Sequence, residues 1–197
     1  MSIPLSTEPT NAPGASPTER PVSLTPACVR AIRAGRKSQL RSVAARQEGD
    51  ELSSSCPLGQ PGDRLWVRES WRAVPTVLNP GPDVAAPPPA SRLFYQADLE
   101  PGSHPVELGL AWHAPRTMPR WASRLGLLIK LTRLERLQSI ADEDLVCEGR
   151  MWRETTGQAA TDDDRAGFAR WWDEVHARPD SMWNANPWVW AVEFERL

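Results

Sequence analysis

Apolar residues recur at every second position in two stretches, first Leu125, Leu127, Ile129 and Leu131, then Trp188, Trp190, Val192 and Phe194. A period of two sends successive side chains to opposite faces of a pleated chain, so strands are predicted over 124–137 and 188–195. In the second, Val189, Ala191, Glu193 and Glu195 form the opposite face. The first loses its alternation near Arg133, where a bulge or bend is expected. Shorter strands are predicted at 37–43, at 64–69 after the turn Pro61-Gly62-Asp63, and at 92–97. Within 64–69, Leu65 and Val67 share a face and Trp66 points away from it. The helical period appears in Phe168, Trp171, Trp172 and Val175, inside a helix over 161–176 that Thr161 and Asp164 open as a capping box. Thr25 and Pro26 supply an N-cap and a first-turn proline for a short helix ending at Gly35, and another helix is predicted from Ala141 to Cys147. Strands broken by helices and turns, without a βαβ rhythm, predict an α+β domain built round a small mixed β-barrel with flanking helices.

Composition sets the boundaries. Of 20 prolines, five fall in residues 1–21 and six in 74–90. Residues 1–20 are expected to be a disordered Pro-rich tail, 21–197 the folded domain, and 74–90 a surface insertion with polyproline character. At 197 residues, one hydrophobic core is the expectation. Pro4, Pro9, Pro13 and Pro17 stand where a signal peptide needs an apolar run, and no eighteen-residue apolar segment follows. A cytoplasmic protein with no membrane partner is expected. Cys28, Cys56 and Cys147 are odd in number and lack a C-x-x-C pair, which fits reduced thiols. The net charge of -2 conceals a division: Arg20 to Arg46 holds seven basic residues and no acid, whereas 138–197 holds thirteen acids and six bases. A polyanionic partner and mutual neutralisation within the fold both account for such a pattern.

His104, His113 and His176 show no ligand spacing, so no metal is expected, and no phosphate-binding or nucleophile-elbow motif points to a cofactor. The informative segment is Gly35-Arg36-Lys37-Ser38-Gln39-Leu40-Arg41, where a helix ends and a strand begins on a basic pair. It has companions in Cys56 to Trp71 (CPLGQPGDRLWVRESW), Met118 to Arg124 (MPRWASR), Asp144 to Gly149 (DLVCEG) and Asn186 to Trp190 (NPWVW). In this order, from about Val22 to Leu197, the blocks resemble the ASCH domain of the PUA-like superfamily, in the form common in bacterial and prophage genomes.

The resemblance implies a PUA-like barrel with a cleft between the lysine strand and the helix that ends in Glu148-Gly149, and a connection to RNA and modified nucleobases. Some small ASCH proteins remove the acyl group from N4-acetylcytidine with a Lys, a Thr three residues later and a distant Glu. Carried across, these fall on Lys37, Leu40 and Glu148, and an arginine two residues beyond the Thr falls on Ser42. Leucine offers no nucleophilic oxygen. Ser38 and Ser42 share the face of Leu40 in a strand, each displaced by about 6.6 Å.

Trp171, Trp172, Trp188 and Trp190 follow helix or strand periodicity and are expected in the core. Trp66 and Trp121 instead lie near Arg68, Arg120 and Arg124, and aromatic rings among arginines can hold an unpaired base, with Arg36 and Arg41 beside Lys37. Three readings follow: a module binding RNA or a nucleobase in a Lys/Glu cleft, a nucleoside amidohydrolase or ribonuclease with Lys37, Glu148 and Ser38 as its chemical groups, or a phage-associated protein-interaction module resting on the Pro-rich segments. The sequence assigns no oligomeric state.

Overall fold

The computed structural model describes residues 17–44, 54–75, 91–99, 111–149 and 164–197. The expected tail as far as Ser16, the insertion from Thr76, Trp152 and the capping residue Thr161 lie outside the described residues. Strand β1 (Glu19–Ser23) leads into helix α1 (Pro26–Arg33) and strand β2 (Gln39–Val43). Strands β3 (Arg64–Arg68), β4 (Trp71–Pro75), β5 (Ser91–Tyr95) and β6 (Gly126–Arg136) follow, then helices α2 (Asp142–Cys147) and α3 (Asp164–Val175) and strand β7 (Trp188–Arg196). Thr25 caps α1 as expected, its Oγ1 accepting from the Cys28 N–H at 3.3 Å, and the chain leaves the helix through Gly35 at a φ of 70°.

Five strands form one mixed sheet in the order β1-β3-β6-β7-β2, parallel between β1 and β3 and antiparallel elsewhere, and β4 and β5 form a separate hairpin. The sheet curls: Val22 of β1 and Leu40 of β2, at opposite ends of the order, join one apolar cluster with Leu65, Leu127, Phe194 and Val29 of α1. Among the described residues no pairing joins β1 to β2, so the expected barrel closure is absent from the described pairings, and a gap separates the two edges. Helices α2 and α3 pack on the other side of the β7 end through Leu145, Phe168, Trp172 and Val189.

The alternation in β6 breaks earlier than its sequence suggests. The register with β7 shifts between Ile129 and Leu131, so the bulge falls at Lys130 rather than near Arg133. Up to that point odd-numbered residues face the core, with Leu127 and Ile129 at most 1% exposed. Beyond it the parity reverses, and Leu131, expected inside, is 40% exposed. The β4–β5 hairpin was not expected from the pattern, because the proline-rich segment separating its strands carries no short turn signal. Val74 and Pro75, assigned by composition to the insertion, belong to β4.

The domain also starts earlier than Pro21. Thr18 donates its N–H to Asp63 Oδ1 at 2.9 Å, the Arg64 N–H donates to the Thr18 carbonyl at 2.8 Å, and Arg20 reaches Asp63 Oδ2 at 3.0 Å. Burial would raise the Asp63 carboxyl, but these donors and the Gln60 N–H hold it below the usual carboxylate range. Residues 17–20 are therefore part of the domain. A chain beginning at Pro21 is expected to melt several degrees below one beginning at Pro17, since each lost kcal/mol lowers the midpoint of a domain this size by about 2–4 °C. Equal melting temperatures would show that β1 needs neither its first half nor Asp63.

Candidate functional site

Strand register builds the site. On the face away from the central core, β2, β7 and β6 align Gln39 with Glu193 and Leu131, Arg41 with Ala191 and Arg133, and Val43 with Val189 and Glu135. Two arginines thus flank a small residue, and Ala191, 1% exposed, leaves room for their guanidinium groups. Onto this face α2 delivers Asp144 and Glu148. Arg41, its side chain fully buried, donates to Glu148 Oε1 at 2.7 Å, Gln39 Oε1 at 2.8 Å, Glu135 Oε1 at 2.8 Å and Asp144 Oδ2 at 3.2 Å. Arg133 pairs with Glu135, Glu193 and Asp144. Burial would raise the Asp144 carboxyl, but the Gln39 amide and the Arg133 and Arg41 guanidinium groups hold it below its ordinary range.

Lys37 completes the cluster from the turn before β2. Its Nζ lies 2.5 Å from Glu148 Oε2 and donates to the Glu148 backbone carbonyl at 3.2 Å, and both side chains are 1% exposed. The lysine thereby also caps the carboxyl end of α2, where a cation meets the negative end of the helix dipole. Ser38 N–H donates to the Cys147 carbonyl at 2.9 Å, tying strand to helix through the main chain as well. Gly149 makes the approach possible: its φ is 84°, and a Cβ there would stand 2.8 Å from Lys37 Cβ and 3.1 Å from Ala31 Cβ.

Beside this cluster, in the gap between the edges of β1 and β2, lies a cleft of about 330 Å³. Lys37, Arg41 and Glu148 lie along it together with Ser23 at the end of β1, Ser42 of β2, Trp171 of α3 and His176 just past the end of α3. Helix α3 is pinned by its own aromatic face: Trp172 Nε1 donates to the Ser181 carbonyl at 2.7 Å, and the His176 ring stacks on Trp172 at 3.8 Å. His176 Nδ1 lies 3.0 Å from the Trp172 carbonyl, which only accepts, so Nδ1 carries the hydrogen and the neutral ring keeps its lone pair on Nε2. Histidine spacing gave no reason to single out His176. Its i+4 relation to Trp172 on an apolar helix face is the signal that could have found it.

The other expected site residues divide sharply. Lys37, Arg41, Glu148 and Ser42 meet at the cleft, and Leu40 lines it while packing into the core at 5% exposure. Ser38 is exposed and is not part of the cleft wall. Arg36 is exposed and donates to the Gly149 carbonyl. Arg124 grips the buried Glu69 with two bonds, at 2.9 and 3.0 Å, bonds Asp98 and lies 3.8 Å over the Tyr95 ring, so it stitches the hairpin to the main sheet. Arg120 holds Glu19 through two bonds, and Trp121 packs edge-on against Trp71 at 5.9 Å beside Met118. Trp66 is 8% exposed beneath Arg68, so its ring face is already occupied. Among the expected core tryptophans, Trp172 and Trp190 are buried, whereas Trp171 and Trp188 are only partly buried. The basic run from Arg20 to Arg46 proves largely neutralised internally, by Arg20 with Asp63, Arg33 with Asp98, and Lys37 and Arg41 with the carboxylates above. Among the described residues no group of three or more His, Cys, Asp or Glu could hold a metal, and no helix is long and apolar enough to cross a membrane.

Burial pushes the His176 imidazole down, outweighing the Trp172 carbonyl and the nearby Asp173 charge. A depressed histidine binds its proton more readily when unfolded, so stability should fall as pH drops through its ordinary value of about 6.5 and level off below the folded value. The midpoint of thermal unfolding is expected to decline between pH 7.5 and pH 5.5 in the wild type, with His176→Gln losing that part of the slope. Identical pH profiles would place the titration elsewhere.

Compared with known proteins, the chain matches no family model and no curated protein. Among solved structures, the crystal structure of an Enterococcus faecalis V583 protein of family model DUF984 resembles it at a TM-score of 0.42 and 9% identity, covering 93% of this chain and 81% of that one. A likeness at that level assigns neither family nor activity, and the functional reading rests on the site itself.

Proposed function

We propose that the chain binds a single nucleobase or nucleoside, free or within RNA, in the cleft between β1 and β2, as a cytoplasmic ASCH-like module with a PUA-like, barrel-derived sheet. The observation that carries this reading is the cleft's composition. Its volume of about 330 Å³ lies at the small end of the ~300–1,000 Å³ typical of ligand pockets, which suits one nucleoside. Trp171 and His176 offer ring surfaces, Ser23 and Ser42 offer hydroxyls that both donate and accept, and the Lys37–Glu148 pair gives one side a fixed polar boundary. The ordered motif blocks resembling the ASCH domain supply the nucleobase class.

The hydrolase reading is disfavoured by the same geometry. Leu40 fills the place of the family's hydroxyl and is committed to the core, Ser38 lies away from the cleft wall, and the Lys37 ammonium already donates to Glu148 at 2.5 Å. Ser42 remains the hydroxyl of β2 nearest to this chemistry, without a base bonded to it among the described hydrogen bonds.

The test is a titration of cytidine, N4-acetylcytidine, uridine, adenosine and guanosine followed by tryptophan fluorescence. At least one nucleoside is expected to give saturable quenching, weakened about tenfold or more, or ~1.4 kcal/mol, by Ser42→Phe, which fills the cleft from an edge strand. N4-Acetylcytidine is expected to emerge intact from prolonged incubation with wild type. Failure of every nucleoside to bind would end the base-binding reading, and steady release of cytidine that Ser42→Ala abolishes would establish the hydrolase instead.

A further inference from the structure

The face of β3 that turns away from the core collects positive charge that the fold does not spend. Arg64, Trp66 and Arg68 alternate with the buried Leu65 and Val67, so all three project from one side. The Arg68 guanidinium lies 4.6 Å over the Trp66 ring and that of Arg120 lies 5.8 Å from the same ring. Arg68 also donates to the Arg116 carbonyl at 3.4 Å, which brings the exposed Arg116 alongside. Arg64 and Arg120 border one shallow depression with Glu19, and Glu19 is the carboxylate bonded within this group, held by Arg120 at 2.8 and 2.9 Å. Among the described residues, these four arginines therefore share one bonded carboxylate. Elsewhere Arg20, Arg33, Arg41, Arg124, Arg133 and Arg165 each hold a carboxylate.

This strip runs into the cleft. Strands β1 and β3 are parallel and in register, which sets Ser23 opposite Arg68 on the same face, and Ser23 is one of the cleft residues. Trp66 is covered, so it acts as a platform holding guanidinium forks outward rather than as a stacking surface for a base. Arg68 Nε is buried and without a hydrogen-bond partner. Guanidinium forks of this kind match phosphate oxygens, and a strip one strand wide beside a one-base cleft suits a single polynucleotide strand, since a base stacked in a duplex could not enter the cleft.

We propose that the Arg64, Arg68, Arg116 and Arg120 face is a track for the phosphodiester backbone of a single-stranded nucleic acid, making an oligonucleotide rather than a free nucleoside the preferred ligand. The inference rests on the base-binding reading of the cleft and deepens it. An acidic peptide would meet the same cations but has no base for the cleft.

The full chain is titrated against a fluorescent eight-nucleotide RNA of mixed sequence across a salt series, with nucleosides and polyglutamate as competitors. Oligonucleotide is expected to bind at least tenfold more tightly than any nucleoside. Arg68→Gln with Arg116→Gln is expected to weaken it about tenfold or more and to flatten the salt slope by about 1.4, two phosphate contacts at ~0.7 each, while nucleoside affinity and melting temperature hold. Arg116→Gln alone, an exposed change, is expected to give half of that slope change should the double variant fold poorly. Ser42→Phe is expected to do the reverse, removing nucleoside binding and leaving the salt slope. Oligonucleotide binding that ignores salt and both arginine variants overturns the track even where nucleosides still bind, as does displacement by polyglutamate at equal charge.

Discussion

A carboxylate that is 1% exposed has to be satisfied where it sits, and Glu148 is satisfied by two cations from a single strand region, Lys37 at 2.5 Å and Arg41 at 2.7 Å. Removing Glu148 would leave the buried Lys37 ammonium without its carboxylate, a cost of about 3–5 kcal/mol in comparable pairs. That requirement fixes the distance between β2 and the end of α2, and with it one side of the cleft. It also explains smaller choices nearby: Gly149, because any side chain would collide with Lys37, and Ala191, because two arginines must pass beside it. Since α3 packs with α2 against β7, the aromatic side of the cleft inherits its position from the same contact.

Charge placement follows from this economy. Arg20, Arg33, Lys37 and Arg41 of the N-terminal segment are matched by acids from distant positions, as Arg41 shows with Glu135, Asp144 and Glu148. Segregation along the sequence therefore turns into neutralisation in space for that run. The excess that survives among the described residues belongs to β3 and the loop carrying Arg116 and Arg120, where Glu19 is the one carboxylate bonded within a group of four arginines. A surface argument from the linear charge pattern would have looked on the wrong strand.

The spacing of apolar residues made α3, β3, β6 and β7 legible, the Thr25-Pro26 start marked α1, and α2 too lies where a helix is predicted. It failed where parity changes. The bulge at Lys130 reverses which side of β6 faces inward, and nothing in Ile129-Lys130-Leu131 announces that, because both alternatives bury one aliphatic residue and expose another. Lys37 and Glu148 were found by motif resemblance, since 111 residues separate them and no local pattern joins them. The structural roles of Arg124, with its hidden partner Glu69, and of Trp121 required knowing which distant residues pack nearby. Strand alternation marks Ser38 and Ser42 alike, and of the two Ser42 is the serine that reaches the cleft.

Lys37 and Glu148 act as one unit at the cleft wall, and a double-mutant cycle measures that coupling directly. Urea unfolding of wild type, Lys37→Met, Glu148→Gln and the double variant yields the interaction free energy. Each single change is expected to cost several kcal/mol and the double clearly less than their sum, with a coupling of about 1–3 kcal/mol. Costs that simply add would show that the two side chains are held independently, and the anchor assigned to the cleft would be gone.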